Sequence, residues 1–255
     1  MIKPIDQFAL VAPLVRAGIG SLTKAVPSRL SRGGLPLITL LTLSSLRADD
    51  WPMLGGRPDR NMVSGEVGLP VEWSFGGKTP AKNIKWVAPL GKVTFCAPVI
   101  SGGRVFIGTD NDAKDHTEQR GVMKCFAESD GKLLWAVTHE KLRNPSEDDG
   151  TIGVTSTPCV SGENVYYVSN RAELVCLAAR DGKLIWSIDM RATLGVMPNQ
   201  ASSSSPLVVD GRLFVVTGTA ADYKTGKVKN PSAPSFLAVD AQTGKVLWQD
   251  NSPGA

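Results

Sequence analysis

The side chains in this sequence that could do chemistry are scattered, and none completes a set. Asp110-Asn111-Asp112-Ala113-Lys114-Asp115 opens like a calcium loop, because oxygen ligands at alternate positions can converge on a hard cation. Lys114 stands where a third oxygen belongs and no glycine follows it, so the stretch reads as a solvated loop. His116 and His139 have no second histidine or carboxylate at metal-binding spacing, and His139-Glu140 lacks the partner of an H-E-x-x-H pair. Both read as surface or loop residues. Ser202–Ser205 sits in no G-x-S-x-G turn, and Gly91-Lys92 and Gly226-Lys227 follow no glycine-rich phosphate cradle. Arg171 and Glu173 read as polar rim residues. Cys96, Cys125, Cys159 and Cys176 form no CxxC or CxxCH, which leaves metal and haem readings without ligands. No residue is assigned a catalytic, cofactor-binding or metal-ligating role on this basis.

The elements that hold these residues form a repeat. CFAESDGKLLW (125–135), CLAARDGKLIW (176–186) and AVDAQTGKVLW (238–248) share Gly at the seventh position, Lys at the eighth and Trp at the eleventh. Gly131, Gly182 and Gly244 are therefore equivalent, as are Trp135, Trp186 and Trp248. The tryptophans lie 51 and 62 residues apart, which suits a four-stranded propeller blade of about 40–50 residues. Each unit parses into four short runs rich in Val, Ile, Phe and Tyr: in the first, 97–100, 104–108, 122–127 and 133–137. Asp-Gly or Thr-Gly between the last two runs is a hairpin signal, and proline recurs at the head of the first run at Pro98, Pro158 and Pro206. The expected fold is all-β, an incomplete β-propeller of four-stranded antiparallel blades at 97–138, 157–189 and 205–250. The recurring tryptophan is expected to be the flat side chain that one blade offers the next, so the six Gly and Trp residues are read as blade-docking positions. Irregular loops at 109–121, 138–156, 187–203 and 219–234 all fall on one side, where a protein or small-molecule ligand is expected.

Cys125 and Cys176 occupy one motif position that holds Ala238 in the third unit, so the site wants a small apolar residue. Stacked sheets lie about 10 Å apart, too far for a disulfide between those two. Mostly free, buried thiols are expected, with a bridge at Cys96 or Cys159 left open.

Residues 1–48 carry six of the 28 Lys+Arg and one of the 24 Asp+Glu, leaving a net −1 on the remainder, so the folded part shows no nucleic-acid footprint. The apolar run at 35–43 is shorter than the roughly 20 residues of a membrane span. Residues 1–48 read as a signal peptide cut near Ala48, with residues 49–96 leading into the propeller and a periplasmic or secreted location.

AVDAQTGKVLW matches every fixed position of A-x-D-x-x-T-G-K-x-x-W, and its sister copies keep G-K-x-x-W. This resembles the tryptophan-docking motif of the pyrroloquinoline-quinone (PQQ)-binding-like β-propeller repeat family. DWPMLGGRPDRN at 50–61 is similar to the N-terminal segment of its exported bacterial members. The resemblance implies a propeller of seven or eight blades, of which this chain would be a fragment. The family holds alcohol and glucose dehydrogenases that bind PQQ with calcium, and non-enzymatic members such as the outer-membrane barrel-assembly scaffold lipoprotein. A dehydrogenase would need a Glu-Asn-Asp calcium set, a catalytic Asp and commonly an adjacent cysteine pair. The pair is absent and no position here matches the others. The chain is accordingly read as an exported non-catalytic binding or assembly scaffold with no cofactor. The alternative is part of a PQQ- and calcium-dependent dehydrogenase whose active site lies in other blades.

Overall fold

Each motif glycine reverses the chain in the left-handed region, with φ of +74° at Gly131, +73° at Gly182 and +76° at Gly244, where a side chain would be strained. The three turns close identically: the glycine N–H donates to Ala127, Ala178 or Asp240 O, and those residues' N–H groups donate to Lys132, Lys183 or Lys245 O. Every hairpin therefore fixes the same strand pair.

The computed structural model describes residues 9–13, 49–75, 81–115, 118–141, 153–197, 204–217, 225–228 and 230–252. Strands β1 (Ala9–Pro13) and β2 (Ile84–Pro89) pair with each other. Three four-stranded antiparallel sheets follow, each meandering in chain order. The first comprises β3 (Val99–Ser101), β4 (Arg104–Asp110), β5 (Gly121–Ala127) and β6 (Leu133–His139). The second comprises β7 (Cys159–Ser161), β8 (Asn164–Val168), β9 (Glu173–Ala178) and β10 (Leu184–Asp189). The third comprises β11 (Leu207–Val209), β12 (Arg212–Val216), β13 (Phe236–Asp240) and β14 (Val246–Asp250). The prolines precede the first strands by one residue, which leaves every ladder N–H intact.

Period-2 alternation gives each sheet two apolar faces, and facing sheets share a core. Phe106, Met123, Cys125 and Trp135 of the first sheet pack against Val165, Tyr167, Val175 and Leu177 of the second. Tyr166, Val168, Leu174 and Cys176 of the second pack against Leu213, Val215, Leu237 and Val239 of the third. On each forward face an aromatic, a small residue and the tryptophan align across strands: Phe106–Cys125–Trp135, Tyr166–Cys176–Trp186 and Phe214–Ala238–Trp248. The small residue leaves room for two flanking rings, whose centroids are 5.9 Å apart in both covered rows. In the third sheet Phe214, Val216, Phe236, Leu247 and Trp248 are exposed.

Two features depart from the sequence expectation. The loop at 187–203 begins with a helix, α1 (Met190–Leu194), because Asp189 Oδ1 accepts from the N–H groups of Arg191 and Ala192, both at 3.0 Å, and Met190 is buried in the core. The segment at 50–61 also crosses the inner strands of all three sheets. Trp51 exchanges both backbone hydrogen bonds with Ile100, Pro52 O accepts from Val160 N at 2.7 Å, and Arg60 Nη2 donates to Ser205 O at 3.0 Å. Met53 enters the core between the second and third sheets.

Candidate functional site: the seams and the long-loop face

Every covered seam is built around an indole. Trp135 Nε1 donates to Ala179 O at 3.0 Å and Trp186 Nε1 to Ala241 O at 3.1 Å, each in the following sheet. Trp86 of β2 does the same to Glu128 O at 2.8 Å. The acceptor is always the fourth residue of the next motif, and its own N–H is held by the tight turn between that sheet's first two strands, at Gly103, Glu163 or Gly211 O. The ring lies on the next motif's glycine: a Cβ at Gly131, Gly182 or Gly244 would come within 2.6–2.8 Å of Trp86, Trp135 or Trp186. Trp86 has no G-K-x-x-W ahead of it and was missed as an equivalent; its position 49 residues before Trp135 was the available signal.

At the long-loop end a second device repeats. Cys96 Sγ, Ser156 Oγ and Ser204 Oγ accept the N–H of Gly108, Val168 and Val216 at 3.0, 3.0 and 3.1 Å, always twelve residues downstream. The next residue links neighbouring sheets: Ala97 N donates to Thr157 Oγ1 at 2.9 Å and Thr157 N to Ser205 Oγ at 3.2 Å. Ser204 and Ser205 thus tie strands together, while Ser202 and Ser203 lie outside the described residues. Cys96 stands in a serine position. Cys96→Ser is therefore expected to change stability by less than about 0.5 kcal/mol, and Cys96→Ala to cost about 1–3 kcal/mol by stranding the Gly108 N–H, measured by urea unfolding.

All four thiols are free and buried, so neither Cys96 nor Cys159 forms a bridge. Burial pushes Cys96 up to about 11 and Cys125 and Cys176 up to about 12, and raises Cys159, which keeps them as thiols.

Two further sequence readings are corrected. Asp110 is not solvated but fully buried: its Oδ1 accepts from Val93 N at 3.3 Å and comes so close to Gly91 that a Cβ there would lie 1.6 Å away. Gly91 is thus fixed by close approach, its N–H donating to Thr109 Oγ1 at 2.8 Å, and Lys92 Nζ donates to Ala113 O. His139 is not a surface residue but ends β6 inside the first seam. Its Nε2 lies 2.7 Å from the Tyr167 hydroxyl and its Nδ1 3.5 Å from Glu173 Oε2. Glu173 also accepts from Arg171 Nε at 3.0 Å and Ser169 Oγ at 3.1 Å. Ala172 at φ +56° folds this short loop back so that Arg171 and Glu173 meet. His116 lies outside the described residues, and Gly226-Lys227 is exposed.

The bond from His139, then those from Arg171 and Ser169, hold Glu173 down to about 2 from an ordinary 4.5, against an opposing desolvation by burial. Burial raises the Tyr167 phenol, which therefore stays protonated. A depressed carboxylate contributes stability that is complete above the ordinary value and is lost as pH falls. On the order of 2 kcal/mol should disappear between pH 4.5 and pH 2. Glu173→Gln should show the deficit already at pH 7 and lose this part of the acid sensitivity, read from urea midpoints against pH.

Among the described residues no three His, Cys, Asp or Glu side chains converge as a metal set. No described helix is long and apolar enough to cross a membrane.

Comparison with known proteins decides the family. The PQQ-like repeat model described as outer membrane protein assembly factor BamB matches residues 119–255, more than half of the chain. This chain belongs to the PQQ-like β-propeller repeat family. A relative, the dehydrogenase subunit of the quinone alcohol dehydrogenase of Gluconacetobacter polyoxogenes, is 27% identical over 136 residues, covering 52% of this chain and 17% of its own length. This chain thus spans about a sixth of that relative. The quinohemoprotein alcohol dehydrogenase ADHIIG of Pseudomonas putida HK5 superposes with a TM-score of 0.52 at 19% identity, over 79% of this chain and 26% of that one. The quinohemoprotein alcohol dehydrogenase of Comamonas testosteroni gives 0.51 at 17%, over 78% and 27%. These likenesses place the three sheets as blades of an incomplete PQQ-like propeller.

Proposed function

We propose that this chain is part of a larger, exported PQQ-like propeller that acts as a non-catalytic binding or assembly scaffold, presenting its long-loop face to a protein or small-molecule partner. In this reading Gly131, Trp135, Gly182, Trp186 and Trp86 dock consecutive blades, and Gly244 receives Trp186. Trp248 and the apolar row around it are the docking face for a further blade. The observation that supports the scaffold reading is that several of the polar groups described at the long-loop end are bonded to neighbouring strands. Ser156, Thr157, Ser204 and Ser205 hold neighbouring backbone N–H groups, and Glu173 is bound by His139, Arg171 and Ser169. Such bonds set the geometry of that face. The basic leader followed by an apolar run supports export.

The second reading, a part of a PQQ- and calcium-dependent dehydrogenase, is favoured by the 27% identity to a quinone alcohol dehydrogenase subunit. Among the described residues no group of three His, Cys, Asp or Glu side chains surrounds the buried Asp110 carboxylate. Titrating PQQ with calcium into the intact protein that carries all of its blades, with tryptophan fluorescence and alcohol-dependent dye reduction as readouts, separates the two. The scaffold reading expects no saturable binding and no reduction; saturable binding with turnover would establish the dehydrogenase reading.

A further inference from the structure

Strand β2 lies in the place of a fourth blade strand. Its Trp86 donates to Glu128 O and covers Gly131, as Trp135 and Trp186 do to the sheets that follow theirs. No glycine hairpin leads into it; its neighbour in the sheet is Ala9–Pro13, and residues 14–83 separate the two strands. The register of this pair is nevertheless that of the blades. Ala12 stands opposite Trp86, as Cys125 stands opposite Trp135, Cys176 opposite Trp186 and Ala238 opposite Trp248. One step further, Pro13 pairs with Ile84, Phe126 with Leu133, Leu177 with Leu184 and Val239 with Val246. Each ladder therefore passes over the residue before the tryptophan: Lys85, Leu134, Ile185 or Leu247. A slip of one residue would place Val11 or Pro13 opposite Trp86 and exchange the two faces of the strand.

We propose that the edge of β2 is a strand-binding site, and that the chain's own Ala9–Pro13 fills it as the third strand of a split blade whose fourth strand is β2. The site takes an extended apolar segment, antiparallel to β2, with Ala or Cys across from the tryptophan. In the three complete blades a short glycine hairpin holds third and fourth strands in step. Here residues 14–83 stand in place of that hairpin, and a loop of such length imposes no register. The match must then come from the strands themselves. Pairing also covers a row of N–H and C=O groups that an open edge would leave beside the first blade. Residues 9–13, read from sequence as leader, belong in this account to the propeller. Neither the scaffold nor the dehydrogenase reading depends on it.

Intact mass and backbone hydrogen exchange of the full chain, followed at 84–89 and, as a control within the second blade, at 164–168, test this with Val11→Pro and Ala12→Pro. Successive N–H groups of a strand point to opposite sides, so one proline removes a donor to β2 and the other a donor on the open side of β1. The expected result is a mass that includes residues 9–13, slow exchange at 84–89, and a rise of about 10-fold or more at 84–89 in one of the two variants, with 164–168 unchanged. Exchange at 84–89 as fast as in unpaired chain, or left unchanged by both prolines, would overturn the proposal. A purified protein that begins after residue 13 would overturn it as well. If a variant unfolds throughout, the mass and exchange of the unchanged chain still decide.

Discussion

Trp135→Ala lowers the unfolding free energy by about 3–5 kcal/mol, whereas Trp248→Ala lowers it by less than about 1 kcal/mol, although the two residues occupy the same motif position. Trp135 is 9% exposed and Trp248 is 51% exposed. Truncation at 135 removes the ring that lies on Gly182 and beside Phe106, leaves a cavity between two sheets, and strands Ala179 O inside the seam. Truncation at 248 removes a ring that already meets water on one side. Trp135→Phe separates the terms: it keeps most of the apolar area but not the donor, and should cost about 1–2 kcal/mol. Urea unfolding followed by circular dichroism measures all three. Equal losses at 135 and 248 would mean that the indoles act within their own sheets and do not join sheets.

Gly182→Ala carries the second large effect. At φ +73° an L-residue is strained by about 1 kcal/mol. The new methyl would also lie 2.8 Å from the Trp135 ring, whose own position is fixed by its hydrogen bond. Overpacking of this kind adds about 1–3 kcal/mol, so the total is about 2–4 kcal/mol. Gly211→Ala is the control: its φ is +72°, yet no atom lies within 4 Å of the added Cβ. It should show the backbone strain alone, and the difference between the two variants is the clash between blades.

Local chemistry made the blades legible. Asp130-Gly131, Asp181-Gly182 and Thr243-Gly244 dictate a turn whatever surrounds them, and the apolar runs on either side have strand length and composition, so three meandering sheets follow from neighbours in sequence. The small residue shared by Cys125, Cys176 and Ala238 could be read as a packing constraint before its two flanking rings were seen. What stayed hidden depends on partners far along the chain. His139 meets Glu173 and Tyr167 only because β6 closes against the next blade, and no spacing within either segment encodes that. Asp110 looked like a loop acid because its burial is supplied by Gly91 and Val93 from another stretch. The twelve-residue link from Cys96, Ser156 and Ser204 to the second strand was periodic, but its chemistry alternates between thiol and hydroxyl, which hides the repeat from a motif defined by residue type. Trp86 was masked because its strand reaches the first blade without its own glycine turn.

Hydrogen exchange at the six indole N–H groups, resolved by NMR and assigned with single Trp→Phe variants, tests whether these sheets are consecutive blades joined by their tryptophans. Trp86, Trp135 and Trp186, each bound to a backbone carbonyl across a seam, should exchange slowly and together. Trp248 and Trp73, both more than half exposed, should exchange at once. Exchange at Trp135 and Trp186 as fast as at Trp73 would contradict the stacked-blade arrangement.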